Sequence, residues 1–280
     1  MTFRTRFAPS PTGPLHLGHA YSAWLAHDQA RAAKGAFLLR IDDIDQSRAR
    51  AHWEDQLKND LTWLGLDWDG PIRRQSDHFA DYRDVLEQLA AQGLLYPCSC
   101  KRRDIEAAAN APQEGAPEFG PDGRIYPGTC RDRPMSSRLE TDALRLDLSR
   151  LHFPHSLSFE ETGPLHAGRH GVTHAMLQRE VGDPVLARPN MAASYHLSVV
   201  IDDADQAITH VTRGADLFDA TFLHVALQTI LGLPTPVYHH HDLIRDENGK
   251  RLAKRDDARA ISKYRSDGLT PDQIRKMLGL

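Results

Sequence analysis

The first third of the chain alternates short apolar runs with stretches in which apolar side chains recur every three or four residues. Residues 3–8 and 37–41 are typical of strands, and the second run is apolar enough for burial in a parallel sheet. Helical spacing is predicted in three stretches: 18–34, 49–64 and 79–92. Gly35 follows the first of these in the position of a C-terminal capping glycine. This order of elements predicts an α/β fold with a doubly wound parallel sheet.

The middle of the chain has a different pattern. From Pro97 to about Pro154 it is rich in Pro, Gly, Arg and Asp and contains all three cysteines, which indicates an insertion with its own small core or a metal staple. Beyond it we predict an apolar strand at 195–201 and a helix at 217–231. We therefore divide the chain into four parts. The first half of the sheet domain is 1–96, the insertion is 97–175, the second half of the sheet domain is 176–236, and the C-terminal segment is 237–280.

One short sequence occurs twice in similar form. IDDID at 41–45 is echoed by IDDAD at 201–205. Two strands that end in acidic turns explain the echo, and a carboxylate cluster that binds metal is the less favoured alternative. The HHH run at 239–241 is likewise interpreted as strand or loop packing rather than as a metal site.

Composition limits the class of protein. Of the 280 residues, 40% are hydrophobic and 26% charged, which excludes a disordered or collagen-like chain. No apolar run approaches the roughly 18 residues of a membrane span, and no secretory signal is visible, so we expect a cytoplasmic protein with no membrane partner. Three cysteines cannot close a disulfide framework.

Charge is unevenly distributed. The net charge of −4 excludes a uniformly basic coat for nucleic acid, yet segment 245–265 has eight Lys or Arg against four acids. This segment is either a local phosphate-binding patch or a solvated loop.

The most informative segment is RFAPSPTGPLHLGH at 6–19. Gly13 and Gly18 have the spacing of a P-loop, but the Lys and Ser or Thr that this motif requires next are missing, which excludes it. A strand, a proline-stiffened turn and two imidazoles at a helix start can still hold a nucleotide triphosphate, because the helix N-terminus attracts anions. Gly18 would let a flat ring approach, and His16 and His19 could donate to phosphate oxygens. Taken alone, the histidine pair is also compatible with a structural role.

A second candidate is GKRLAKRD at 249–256. Its cations, close to a glycine, could bind a polyphosphate leaving group, although such a run is often a solvated loop.

Together these segments resemble the two signature motifs of class I aminoacyl-tRNA synthetases, and further motifs resemble the glutamyl-tRNA synthetase branch. The five motifs are HLGH at 16–19, RLAKR at 251–255, RFAPSPTG at 6–13, LRIDDID at 39–45 and RGADL at 213–217. They occur in the order of that family over about 90% of the chain. The resemblance implies a Rossmann-like doubly wound parallel sheet, an inserted zinc-containing subdomain and a short helical C-terminal segment. It also implies a ligase that activates L-glutamate with ATP as glutamyl-adenylate, with Mg²⁺ accompanying ATP.

The resemblance implies a pocket for glutamate, whose two carboxylates and one ammonium suit the residue types. The residues that it assigns to glutamate are Arg6, Ala8, Ser10, Asp42, Tyr195 and Arg213. Arg6 and Arg213 offer planar forks to the carboxylates. Asp42 is expected to accept the α-ammonium; most of the family has Glu there, and a bridging water could restore the reach of the shorter side chain.

The two signature segments are expected to bind ATP. The residues that the resemblance assigns to ATP are His16, Gly18, His19, Arg251, Leu252 and Lys254. Of these, His16, His19 and Lys254 are expected to be catalytic, because the reaction needs positioning and charge stabilisation rather than a side-chain nucleophile. The second signature departs from the family at Arg251, which replaces Lys, and at Ala253, which replaces Ser.

The cysteines suggest a zinc site, with buried free thiols as the alternative. Family members often hold zinc in this insertion, with a tyrosine four residues before the last cysteine, and Tyr126 has that spacing. We expect one structural Zn²⁺ per chain, with the ligands Cys98, Cys100, Tyr126 and Cys130. His152 or His155 could replace Tyr126, because imidazole is a commoner zinc ligand.

The expected acceptor follows from the length of the chain. Only 25 residues follow Arg255, too few for a domain, so we expect no anticodon-binding region. A shorter branch of the family has this architecture, which implies transfer of glutamate to queuosine at the wobble position of tRNA(Asp); we expect a monomer. The alternatives are a minimal enzyme that charges the 3′ end of tRNA(Glu), an inactive RNA-binding paralogue suggested by Asp42 and Ala253, and a small-molecule nucleotidylyltransferase, which would not explain the glutamate pocket.

Overall fold

The computed structural model describes residues 2–109, 119–121, 123–153, 156–244 and 259–280. The strands in these ranges are β1 (Arg4–Phe7), β2 (Ala36–Ile41), β3 (Arg73–Arg74), β4 (Leu95–Cys98), β5 (Phe119–Gly120), β6 (Gly123–Arg124), β7 (Ala143–Leu146), β8 (Leu157–Glu161), β9 (Gly168–Val172), β10 (Val185–Ala187), β11 (His210–Gly214) and β12 (Val237–His241). The helices are α1 (Leu17–Ala32), α2 (Ala51–Trp63), α3 (Phe79–Ala91), α4 (Arg102–Ala109), α5 (His174–Met176), α6 (Tyr195–Asp205), α7 (Phe218–Ile230), α8 (Ile261–Ser266) and α9 (Pro271–Met277). None of these helices combines the length and the apolar character needed to cross a membrane.

The strand order of the main sheet determines where a ligand can bind. β1 pairs in parallel with β2, and β2 with β3, while β11 pairs in parallel with β12, and β12 with β8. The Thr209 N–H donates to the Arg4 carbonyl oxygen at 2.9 Å, which joins the two halves beside β1 and β11. The order therefore runs β3-β2-β1-β11-β12-β8-β9. From β1 the chain adds β2 and β3 on one side of the sheet, whereas from β11 it adds β12 on the other side, so the strand order reverses between β1 and β11. Ligands of doubly wound sheets bind at such a reversal, at the carboxyl ends of the strands. The predicted fold class is confirmed.

A second sheet lies in the middle of the chain. It is antiparallel, with the order β10-β7-β4. The predicted insertion at 97–175 contains β7 but also β8 and β9, and β8 joins the main sheet where Glu161 lies opposite Tyr238. The division of the chain into domains remains a prediction.

The prediction of a strand at 195–201 is wrong, because this segment forms most of helix α6. Ser194 caps the helix, and its hydroxyl accepts a hydrogen bond from the Leu197 N–H. The segment is mostly apolar and α6 is buried on most of its surface, so the pattern of apolar residues does not distinguish a buried strand from a buried helix. The second half of the acidic echo therefore lies on a helix rather than in a turn.

The other predicted helices and strands begin and end within two residues of their predicted bounds. The role of Gly35 differs from the prediction, since the left-handed residue after α1 is Lys34, with a φ of 53°. Gly35 instead permits a close backbone approach: a Cβ there would lie 2.2 Å from the Phe3 carbonyl oxygen.

The C-terminal helices belong to the core of the first half of the sheet. Ile261 of α8 and Ile274 of α9 are fully buried in the same cluster as Trp24 of α1 and Phe37 of β2. This packing holds the beginning of α8 against the beginning of α1.

Candidate active site

A cleft of about 600 Å³ opens at the carboxyl ends of β1 and β11, where the strand order reverses. Nine of the predicted site residues line it: Arg6, Ala8, Ser10, His16, Gly18, His19, Asp42, Tyr195 and Arg213. Arg251, Leu252 and Lys254, together with Ala253, lie outside the described residues. The structure thus brings the predicted glutamate residues and the first signature segment to one crevice.

The two histidines of the first signature segment cap helix α1. His16 is the N-cap, and its Nδ1 accepts a hydrogen bond from the Gly18 N–H at 3.1 Å, while Nδ1 of His19 accepts one from the His16 N–H at 3.2 Å. A ring nitrogen that accepts carries no proton, so each neutral imidazole is protonated at Nε2. The cap thereby selects the tautomer in which each ring has an Nε2–H donor, the type of group that can bind a phosphate oxygen.

The described residues on both sides of the second signature segment lie near the same cleft. Ile244 lines the cleft, and Ala260 pairs with His16 in an antiparallel bridge. The Ile261 N–H also donates to the Leu15 carbonyl oxygen at 2.8 Å. The chain therefore enters residues 245–258 at the cleft and leaves them beside the first signature segment.

A buried network of charges connects Arg6 with Asp42. Arg6 Nε donates to Asp203 Oδ1 at 2.9 Å, Arg40 Nη1 donates to the same oxygen at 2.6 Å, and Arg40 Nε donates to Asp42 Oδ1 at 2.7 Å. Guanidinium groups and carboxylates thus alternate along a chain of contacts away from water. Burial raises the pKa of Asp42 to about 6, although the Arg40 guanidinium opposes this shift.

Sequence reasoning missed Arg40 and Asp203. A charged residue inside the apolar strand at 37–41 was the available signal, because a buried charge needs a partner. The acidic echo was the second signal, since its two copies meet at Arg40, which contacts Asp42 of the first and Asp202 and Asp203 of the second.

Arg213, at the end of β11, is held by neutral acceptors. Its Nε donates to His240 Nε2 at 3.0 Å, and its Nη1 donates to His224 Nδ1 at 3.2 Å and to the Tyr195 hydroxyl at 3.4 Å. Its Nη2 donates to the Thr221 hydroxyl at 2.8 Å and to a backbone carbonyl. Because the described groups that it contacts are uncharged, its positive charge is available to an anion in the cleft.

Three thiols and a phenol come together at the end of β4. The hydroxyl of Tyr126 lies 3.4 Å from the Sγ atoms of both Cys98 and Cys100, and Cys100 Sγ lies 3.5 Å from Cys130 Sγ. A tetrahedral ion with bonds of about 2.3 Å to sulfur and about 2.0 Å to oxygen separates its ligand atoms by about 3.5 to 3.8 Å. The observed spacing agrees with that geometry, so the three cysteines could hold a metal ion with Tyr126 as a fourth donor.

The surroundings of Tyr126 favour its oxygen as an acceptor. The oxygen accepts a hydrogen bond from the Cys130 N–H at 2.9 Å, and the Arg145 guanidinium lies 3.8 Å from the centre of the ring. Burial raises the pKa of Tyr126, and a cation on the ring offsets part of that cost when the phenolate forms. The cluster formed by the described residues contains no imidazole: His152 is not part of it, and His155 lies outside the described residues.

A family model described as tRNA synthetases class I (E and Q), catalytic domain, matches residues 2–280. The chain belongs to the class I tRNA synthetase family. The predicted resemblance is thereby confirmed, and so is the predicted class of enzyme, because a tRNA synthetase is a ligase.

The synthetase is similar over its whole length to proteins named glutamyl-Q tRNA(Asp) synthetase. It is 62% identical to the one from Rhodobacter capsulatus over 99% of both chains. It is 40% identical to the one from Symbiobacterium thermophilum, over 96% of this chain and 83% of the relative.

Solved structures of larger synthetases share its fold. A glutamate tRNA ligase from Elizabethkingia meningosepticum, crystallised in complex with its amino acid, matches the whole chain with a TM-score of 0.77 at 25% identity. The synthetase spans 61% of the length of that ligase.

Proposed function

We propose that this synthetase activates L-glutamate with ATP to form glutamyl-adenylate and then transfers glutamate to queuosine at the wobble position of tRNA(Asp). The observation that carries the proposal is the cleft at the strand reversal, which combines three groups suited to glutamate, Arg6, Asp42 and Arg213, with the Nε2–H donors of the first signature segment. The names of the relatives support queuosine in tRNA(Asp) as the acceptor. The reaction belongs in the cytoplasm, and one chain suffices for the site.

Glutamate is held at three points. Arg213 attracts one carboxylate by its charge, because its direct partners are neutral; its five N–H groups already have partners, and the longest of these contacts, to the Tyr195 hydroxyl at 3.4 Å, is the one that a carboxylate would replace most easily. Arg6 binds the other carboxylate with the donors that remain after its pairing with Asp203. Asp42 accepts the ammonium group, so the α-carboxylate is left facing the nucleotide.

The chemical step is an in-line displacement on ATP. An oxygen of the α-carboxylate forms a bond to the α-phosphorus, and the bond from that phosphorus to the bridging oxygen of pyrophosphate breaks. His16 and His19 donate to phosphate oxygens, and Lys254 stabilises the negative charge of the departing pyrophosphate. When bound together with ATP, Mg²⁺ would neutralise part of the phosphate charge.

Two assays test the proposed function. Glutamate should support ATP–pyrophosphate exchange, and labelled glutamate should attach to queuosine-containing tRNA(Asp) but not to the same tRNA without queuosine. The label should survive removal of the 3′-terminal adenosine. Label on the 3′ end of tRNA(Glu) would establish the minimal charging enzyme instead, and the absence of glutamate-dependent exchange would contradict the proposal and favour the inactive paralogue.

We also propose that the cysteine cluster binds one structural Zn²⁺ through Cys98, Cys100, Tyr126 and Cys130. Thiolate donors in a four-ligand set favour zinc, and a closed set leaves no position for catalytic water. When bound, the ion would tie the end of β4 to the segment around Tyr126.

Loss of one thiolate should release the metal. Cys130→Ser is expected to reduce the zinc content from one to near zero per chain and to lower the Tm by about 5 °C or more, because metal binding contributes to folding. Elemental analysis and thermal unfolding measure both effects. Ser99→Ala is the matched control, since Ser99 lies between two ligands but is not one of them; equal zinc contents in the Cys130 variant and the control would refute the assignment.

Asp42 should make glutamate binding sensitive to pH. Burial raises the pKa of Asp42 to about 6, with Asp202 acting in the same direction and Arg40 and Arg6 opposing it. Asp42 is therefore ionised above pH 6 and loses the charge that attracts the ammonium as the pH falls. We expect the kcat/KM for glutamate to decline below about pH 6, whereas Asp42→Asn should have a low value without this decline. Exchange assays between pH 5 and 8 test this, and an unchanged profile in the variant would assign the decline to another group.

A further inference from the structure

The hydrogen bonds around Arg213 determine where the protons of two histidines lie. A guanidinium donates and never accepts, so the nitrogens opposite it, His240 Nε2 and His224 Nδ1, carry no proton. His240 is therefore protonated at Nδ1 and His224 at Nε2. The latter donates to His196 Nδ1 at 2.9 Å.

The proton of His240 is held by Glu161. His240 Nδ1 lies 2.5 Å from Glu161 Oε2, and both side chains are almost completely buried. Burial raises the pKa of Glu161, but hydrogen bonds from the His240 ring, the His240 N–H and the Gly163 N–H outweigh it and lower the pKa to about 2. Glu161 is thus a carboxylate that orients a neutral imidazole.

The other oxygen of Glu161 is equally fixed. Oε1 accepts the His240 N–H at 2.9 Å and the Gly163 N–H at 2.5 Å. Gly163 is required for this approach, because a Cβ there would lie 2.1 Å from the His240 carbonyl oxygen. The carboxylate therefore cannot rotate out of this orientation without losing backbone hydrogen bonds.

We propose that Glu161 is a positioning residue for substrate binding: it selects the tautomer of His240 and thereby holds the guanidinium of Arg213 towards the cleft. The inference rests on the proposed function, since it assigns Arg213 to glutamate. The imidazole of His240 lies between the guanidinium of Arg213 and the carboxylate of Glu161, so the two charged groups do not contact each other directly. Arg213 is thus oriented by Glu161, and its positive charge still attracts the carboxylate of the substrate.

Glu161→Gln tests the relay with a side chain of the same shape. Two backbone N–H groups require an acceptor at Oε1, so the amide oxygen must take that position and the NH₂ group must face His240 Nδ1. The imidazole must then accept at Nδ1 and carry its proton on Nε2, opposite the Nε–H of Arg213. Two donors would face each other, and Arg213 would shift.

The expected result is a split between kinetic constants. Glu161→Gln should raise the KM for glutamate by about 10- to 100-fold, while the kcat of exchange and the KM for ATP change by less than about threefold. Glu160→Gln is the matched control, because Glu160 is the exposed neighbour on the same strand. A KM for glutamate equal to that of the control, or an equal rise in both KM values, would overturn the inference.

A second measurement tests the inference on the wild-type protein itself. The imidazole ¹⁵N spectrum of the wild-type protein should show His240 protonated at Nδ1, and that of Glu161→Gln should show protonation at Nε2. Protonation of His240 at Nε2 in the wild type would overturn the inference even if the variant does not fold. If wild-type exchange with glutamate is absent, the proposed function fails first; if exchange is present and Glu161→Gln matches its control, only this inference fails.

Discussion

Arg213→Ala is expected to raise the KM for glutamate about 100-fold or more in ATP–pyrophosphate exchange, with the KM for ATP unchanged. The guanidinium is buried and its direct partners among the described residues are neutral, so the carboxylate of the substrate loses a cation that no described carboxylate contacts. In the variant, His224 Nδ1 also loses the donor that it has among the described residues, whereas the Thr221 hydroxyl still lies 3.3 Å from His240 Nε2. By contrast, Arg6 is already paired with Asp203, so its removal should weaken binding less.

Two further variants separate charge from geometry. Arg213→Lys retains the charge, but one ammonium cannot contact His240 and His224 as the fork does, so we expect an intermediate KM. Arg179→Ala removes an exposed arginine that pairs with the neighbouring Glu180 and should behave as the wild type. If Arg213→Ala changed only the KM for ATP, the cleft around Arg213 would bind the nucleotide. The glutamate pocket would then lie elsewhere.

The elements that could be predicted from the sequence are those with local signals. Helix α1 follows a proline-rich turn and begins at a histidine cap, and β2 is a short apolar run between polar turns. Helix α6 lacked such a signal, because burial on nearly all sides removes the spacing of apolar residues that distinguishes a helix from a strand. Its conformation depends on its neighbours, which the sequence of the segment does not specify.

The residues of the candidate site also divide into those that the sequence predicts and those that it does not. Its motif residues were predicted because each lies in a short recognisable segment, and the described ones share a cleft. The groups that orient them were not predicted, since Arg40 and Asp203 are 163 residues apart and Glu161 and His240 are 79 apart. Their contacts depend on strand order and register, which arise only when the sheet assembles.

Lys254→Ala is expected to lower the kcat of exchange about 100-fold, with little effect on the KM for glutamate. The leaving pyrophosphate gains negative charge in the transition state, and an ammonium placed there lowers the barrier more than it strengthens ground-state binding. Ile244 and Ala260, the described residues that flank its segment, lie at the cleft and beside His16, which supports this assignment. Ala253 has no hydroxyl that could bind a phosphate oxygen, so the motif contains one fewer group that could compensate for the loss of Lys254. We therefore expect the full decrease in kcat.

The matched control for this variant is Lys263→Ala. Lys263 lies on α8 in the same basic region, is largely exposed and pairs with Asp267 at 2.7 Å, so the same loss of charge occurs away from the cleft. The control should retain wild-type exchange, whereas the Lys254 variant should lose it at saturating ATP and glutamate. Equal activities of the two variants would remove Lys254 from the reaction and leave His16 and His19 as the remaining residues predicted to be catalytic.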